Sequence, residues 1–342
     1  MSAAFTWRDA GRTVVFRRGG VGGAVEILHG HGVDEFELLT TKRALAGAEA
    51  LAAAASGVHI VAPGQVPAAA AALLGALAPP HVAEEGVRRP LVALGGGRVV
   101  DVAKAVAAVS GAEVVAIPTT MSGAEMTGFH RLPEGAEERA RGLVRPALVI
   151  ADPEAMTSQP EAELRASAMN ALAHGADTLY LPLSNPVSEM TALRGAALIA
   201  TALDQEREER NRAPLALGSI LCGYAIDSAG MGLHHLVCQT LVRLCGTPHA
   251  QTNAAILPHA VALLAERAPE PFERLAGALG TDRAGLPSRI EELGEPPGLG
   301  DVGGDASKLD EALAAMLQRP ELQWVPRPPT RKELAELVGK AW

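Results

Sequence analysis

Aromatic residues are scarce: five Phe, three Trp and two Tyr in a chain of 342 residues. Rings able to stack on nucleic-acid bases are therefore few. Basic residues are outnumbered, 30 Lys and Arg against 39 Asp and Glu, and the net charge is −9. Phosphate backbones and anionic membrane surfaces reward basic patches, so neither nucleic acid nor membrane is an expected partner. Cysteine is nearly absent. Cys222, Cys238 and Cys245 form an odd set with no CxxC pair, which makes no disulfide framework and proposes no zinc site. Long hydrophobic runs are missing too. The apolar stretches are alanine-rich and cut by Gly, Pro or charge, so none reads as a transmembrane span. The opening residues, MSAAFTWRDAGRTVVF, show no apolar run behind a basic stretch. No signal peptide is read there, and a reducing cytoplasm is the expected compartment.

What is plentiful is apolar bulk. Hydrophobic residues make up 48% of the chain and charged residues 20%, enough for a sizeable core and unlike a disordered chain. At roughly 150 residues per domain, the length suggests two domains.

Up to about residue 150, short β-branched runs alternate with alanine-rich segments. Strands are expected at 14–16, 36–41, 58–63, 90–97 (running into a glycine turn) and 114–120. Helices are expected at 42–55, 69–78 and 98–111. This alternation implies βαβ units and a mostly parallel sheet, which binds ligands beyond the C-terminal ends of its strands. After Ala151-Asp152-Pro153 the pattern turns helical, at 163–181, 188–208, 217–230, 233–246, 254–268 and 272–280. An α/β domain over 1–152 and an all-helical domain over 153–342 follow. The Gly/Pro-rich stretch 281–308 is expected to be a loosely packed connection.

Three motifs carry chemistry. Gly95-Gly96-Gly97-Arg98-Val99-Val100-Asp101-Val102-Ala103-Lys104 sits between a strand and a helix, where glycines let a phosphate approach backbone N–H groups. It is not GxGxxG, and a tight turn explains a glycine triplet equally well. Ile117-Pro118-Thr119-Thr120-Met121-Ser122 follows the next strand at the same sheet edge, with hydroxyls suited to a ribose, a phosphate or an amide; an ordinary polar loop is the plainer reading. Asn170 and His174 are four apart and share a helix face, as do His235 and Gln239, and His249 follows. A lone histidine on an apolar helix is usually a core residue. Three of them in separate segments, each beside small residues, point equally to a shared cleft.

At this point the order of motifs becomes informative. GGGRVVDVAK, IPTTMSGAEMT, SAMNALAHGADTLY, GLHHLVCQTL and TPHAQTNAAILPHA together resemble the group III, iron-containing alcohol dehydrogenase superfamily, and within it the maleylacetate reductases. The ends, FTWRDAGRTVVF and WVPRPPTRKELAELVGKAW, resemble that family's ends, so the likeness spans nearly the whole chain. It implies the dehydroquinate synthase-like architecture: a Rossmann-like N-terminal domain, a helical C-terminal domain and an active site between them. NADH or NADPH would lie across Gly95, Gly96, Gly97 and the Thr119-Thr120 loop, bordered by Arg98, Asp101 and Thr41. No carboxylate follows the second strand at Thr40-Thr41-Lys42-Arg43, so both cofactors remain open.

Metal-dependent members of this family hold their ion with one Asp and three His. The matching positions here are Asn170, His174, His235 and His249. An amide in place of the only anion weakens a site for a hard divalent ion, although three histidines still suit zinc. The expectation is no metal, as in the maleylacetate reductases. His235, His249 and His174 are then the catalytic candidates, with a histidine N–H stabilising the enolate that forms when hydride reaches a conjugated ketone. Asn170, Met121, Ser122 and Arg327 are the candidates for binding an anionic small-molecule substrate, with Arg141 or His130 at its other end. The likeness also suggests a homodimer. Departures from the family include Arg98 in place of a serine, a short segment at 79–93, the Thr120-Met121-Ser122-Gly123-Ala124-Glu125 loop and an abbreviated 281–325. Three other readings stay open: a relative acting on a different enone or ketone, a metal-dependent alcohol dehydrogenase, and a non-redox descendant without dinucleotide binding.

Overall fold

The computed structural model describes residues 11–77, 88–207 and 210–342. The N-terminal segment 1–10 and most of the short segment before the glycine turn, 78–87, lie outside the described residues. The chain divides into two compact units, one of residues 9–158 and one that holds 159–342.

The first unit runs β1 (Thr13–Phe16), α1 (Ala24–Gly30), β2 (Glu37–Thr40), α2 (Lys42–Leu45), α3 (Glu49–Ala54), β3 (Gly57–Ile60), α4 (Val66–Leu77), β4 (Leu91–Gly95), α5 (Gly97–Ser110), β5 (Val114–Pro118), β6 (Leu148–Ala151) and α6 (Pro153–Met156). The six strands form one sheet in the order β1-β6-β5-β4-β2-β3, and every pairing is parallel. β4 (LVALG) and β5 (VVAIP) are apolar throughout because both sheet faces are covered, and all their residues are buried. Successive side chains point to opposite faces. Leu91, Ala93, Val114 and Ala116 therefore pack with Leu73, Val102 and Val106 of α4 and α5. Val92, Leu94, Val115 and Ile117 pack on the other face with Leu28 and Leu51 of α1 and α3.

Three expectations in this half need correction. The helix expected over 42–55 is two, because Gly47 takes a φ of +94°, a left-handed turn that an L side chain resists. β6 and α1 were not anticipated from the sequence. Both are short, and β6 (LVIA) abuts the Asp152-Pro153 helix start.

The second unit contains nine α-helices among its described residues: α7 (Glu161–Thr178), α8 (Pro186–Leu203), α9 (Arg212–Ala229), α10 (Leu233–Leu244), α11 (His249–Arg267), α12 (Pro269–Ala278), α13 (Leu286–Gly294), α14 (Leu309–Leu317) and α15 (Arg331–Ala341). The stretch 281–308 is not the loose connection its composition suggests. Leu286, Ile290 and Leu293 share one face of α13 and are buried, as is Leu299 beyond it. Among the described residues no single helix is long and apolar enough to cross a membrane.

Candidate active site

In the first unit, the ends of β2, β4 and β5 place Thr41, Gly95–Gly97 and Thr119–Ser122 at one edge of the sheet. Thr119 donates its amide to the Gly95 carbonyl at 2.9 Å, tying the two turns together. The glycines are required by this approach. A Cβ on Gly96 would lie 3.0 Å from Thr120 Cγ2, and one on Gly97 would lie 2.7 Å from Ser122 Oγ. α5 is 14 residues long and Gly96 offers it no side-chain cap. The first N–H groups of such a helix lack intrahelical acceptors, and its dipole favours an anion. A diphosphate fits there.

The flanking residues have other duties. Arg98 donates to the Ala62 carbonyl beyond β3. Thr41 caps α2, its hydroxyl accepting the Ala44 amide. Asp101 is paired with Lys104 at 2.8 Å. Lys104 is wholly buried, and its ammonium donates to the carbonyls of Ala124, Thr127 and Phe129 at 2.9, 3.0 and 2.6 Å. A tethered cation thus shapes the loop after β5, and Asp101 serves as its counter-ion. Met121 is wholly buried, and Ser122 accepts the Ala124 amide. Glu125, in the same loop, is wholly buried and finds no side-chain or remote hydrogen-bond partner among the described residues. Burial pushes its carboxyl up to about 7, against the pull of its own amide, Lys104 and Arg12. Arg141 is exposed, while burial lowers the pKa of half-buried His130.

In the second unit, α7 carries Asn170, His174 and Asp177 at i, i+4 and i+7, on one face. All three are buried. His235 sits in the first turn of α10, and its ring stacks on His174 with centroids 4.7 Å apart and planes 9° apart. His234 packs edge-on against His235 at 5.0 Å. His234 Nε2 lies 2.9 Å from Asn253 Oδ1, and Asn253 Nδ2 donates to the carbonyl of His249, the first residue of α11, at 2.7 Å. His174, His235 and His249 therefore come together, with His249 on the exposed side. His234, Asp177, Tyr180 and Asn253 join them, which spacing alone did not reveal.

Burial and neighbouring histidines hold His174 well below the usual imidazole range. His234 is pulled down to about 3, chiefly by burial. Asp177 is wholly buried, which alone would raise its carboxyl, but the hydrogen bond from His235 and the surrounding histidines outweigh this and lower it. Tyr180 stays protonated, its pKa raised well above the ordinary value by burial and the Asp177 charge. His174 Nδ1 and His235 Nε2 are buried and have no hydrogen-bond partner among the described residues. Buried polar nitrogens without partners mark a place for a ligand.

One expectation is changed here. Arg327 does not reach the histidines: its guanidinium donates to the Glu266 carbonyl, at the opposite end of α11 from His249. α11 has 19 residues, so its ends lie roughly 27 Å apart. Arg319 instead touches α10, donating to Gln239 one turn beyond His235 while pairing with Glu321. The positions that match a metal site, Asn170, His174, His235 and His249, do not fit an iron ion as arranged. Asn170 supplies no charge, and stacked parallel rings aim their lone pairs side by side rather than at one point. Among the described residues no three His, Cys, Asp or Glu side chains are grouped to hold a metal.

Comparison with known proteins agrees with this architecture. Residues 14–153 match the iron-containing alcohol dehydrogenase family, and residues 165–342 match the C-terminal domain of the Fe-containing alcohol dehydrogenase family. Maleylacetate reductase 1 of Rhodococcus opacus is 35% identical over 260 residues, 74% of this chain and 72% of that protein. The maleylacetate reductase of Rhizobium sp. strain MTP-10005 is 31% identical over 354 aligned positions, 99% of this chain and 97% of that protein. The crystal structure of maleylacetate reductase from Agrobacterium tumefaciens superposes with a TM-score of 0.85 at 30% identity, covering 99% of this chain and 98% of that one. The chain belongs to the iron-containing alcohol dehydrogenase family, is an oxidoreductase, and within that family is similar to the maleylacetate reductases.

Proposed function

We propose that this chain reduces a conjugated oxo-dicarboxylate, maleylacetate or a close analogue, to the saturated 3-oxo acid, with NADH or NADPH as reductant and no metal. The observation that carries the reading is the buried His174–His235 stack, which leaves ring nitrogens without partners where an iron site would otherwise be built.

Gly96, Gly97 and the start of α5 would hold the diphosphate of a reduced nicotinamide cofactor, which when bound would supply hydride to the carbon β to the ketone. The chain's own residues handle the charge that follows. Negative charge develops on the ketone oxygen as an enolate. His235 has committed Nδ1–H to Asp177, so Nε2 is the nitrogen that faces that oxygen, and on taking up a second proton the ring donates Nε2–H to it while Asp177 balances the imidazolium charge. His174, stacked against it and kept neutral by burial, fixes the ring plane and limits water. A proton then passes to the α-carbon, and the balance is one hydride and one proton added across the double bond. Asn170, one turn before His174, offers its amide to a substrate carboxylate.

The test is a nicotinamide fluorescence titration with NADH and with NADPH, followed by product analysis after incubation with maleylacetate. Saturable binding and formation of 3-oxoadipate support the reading. Absence of binding by either dinucleotide overturns it.

A further inference from the structure

The N-terminus of α10 has no side-chain cap of its own, because its N-cap is Gly232. Four N–H groups there need acceptors. Asp177 in the last turn of α7 and Tyr180 just beyond it supply all of them. Asp177 accepts from Gly232, His234 and His235 at 3.1, 3.4 and 3.3 Å, and the Tyr180 hydroxyl accepts from Leu233 at 2.6 Å. Tyr180 in turn donates to Asp177 Oδ1 at 3.0 Å. The fit leaves no room for a side chain: a Cβ on Gly232 would lie 2.0 Å from the Tyr180 oxygen and 2.6 Å from Asp177 Oδ1. The same carboxylate lies 2.7 Å from His235 Nδ1.

From this geometry we infer that Asp177 is the positioning residue of the reaction, fixing both the ring orientation and the tautomer of His235. A carboxylate with a full set of donors only accepts, so Nδ1 carries the proton and Nε2 is the nitrogen left for substrate. The backbone donors hold the carboxylate still, which fixes the ring by two points: the α10 backbone and the Nδ1–H bond. Asp177 is wholly buried, and its oxygens are taken up by these donors. Its effect runs through His235, and it rests on the role proposed above for that histidine.

The test has two readouts. The first needs no turnover: nitrogen-15 correlation spectra of histidine-labelled wild-type protein, with the His235 signals identified by their loss in His235→Asn. Nδ1–H on His235, with the proton moved or mixed between nitrogens in Asp177→Asn, is the expected result. A His235 ring protonated only at Nε2 in the wild type overturns the inference whether or not the chain reduces maleylacetate. The second is kinetic. Asp177→Asn should lower kcat by at least about 100-fold with KM nearly unchanged, because an amide can offer Nδ1 a donor in place of an acceptor. Asp177→Glu should recover part of that loss. An Asp177→Asn enzyme that melts like the wild type and keeps its kcat contradicts the inference. If that variant does not fold, the wild-type spectrum decides the matter alone.

Discussion

The imidazole rings of His174 and His235 lie face to face, 4.7 Å between centroids and 9° between planes, one from the middle of α7 and one from the first turn of α10. Among the described residues only His235 is tied to a carboxylate, and the roles proposed for the two rest on that asymmetry. His235→Asn should lower kcat by about 10²–10³-fold, the loss typical of removing one donor from a developing oxyanion. Steady-state kinetics checks this. A loss confined to KM would mean that His235 binds substrate without acting in the chemistry.

Stability should depend on pH from both sides. Glu125 rises from an ordinary value of 4.5 to about 7 on folding. Between those values the folded protein holds a proton that the unfolded chain has released. This contribution is fully present below about 4.5 and is lost as pH rises through about 7. Removing the buried charge with Glu125→Gln should therefore stabilise the protein at about pH 8, by on the order of 3 kcal/mol, and leave it little changed at about pH 4.5. His234, lowered to about 3, acts in the opposite sense: its contribution is present above the ordinary 6.5 and is lost as pH falls toward about 3. Denaturant melts of wild type and Glu125→Gln across this range check both slopes. Equal stability of the two proteins at every pH would contradict the assignment.

Gly97→Ala places a methyl 2.7 Å from Ser122 Oγ and Cβ, so the loop after β5 must move. NADH binding should weaken by about tenfold or more, and stability should fall by about 1–3 kcal/mol. Gly75→Ala, at a helical site with open space around it, is the control and should stabilise by about 0.5–1 kcal/mol. Fluorescence titration and melting curves separate the two.

Arg327 is exposed, holds a φ of +52° and anchors the chain to the end of α11. Arg327→Ala should leave kcat and KM within about twofold and lower stability by about 1 kcal/mol. A large rise in KM would restore it to the substrate site.

Much of this was legible in the sequence. The β4–glycine–α5 junction showed itself because a doubly buried parallel strand must be continuously apolar and its turn must be small. Asn170 and His174 showed themselves by helical spacing. Asp177 did not, although it sits three residues past His174. Nothing local separates it from a carboxylate facing solvent, and its meaning appears only when Gly232, 55 residues on, brings the α10 N-terminus to it. Gly232 before the paired histidines was the available signal. In α13, Gly and Pro concealed the Leu286, Ile290, Leu293 face. Arg327 was assigned by family likeness, and only the packed structure shows which end of α11 it serves.

Turnover of maleylacetate by protein stripped with a chelator, and shown by elemental analysis to hold no metal, separates a metal-free reductase from a metal-dependent one. NADH or NADPH should be oxidised with undiminished kcat, and 3-oxoadipate should accumulate. Turnover that is lost on stripping and returns with a divalent ion would contradict the metal-free reading, and would make His174, His235 and His249 ligands instead.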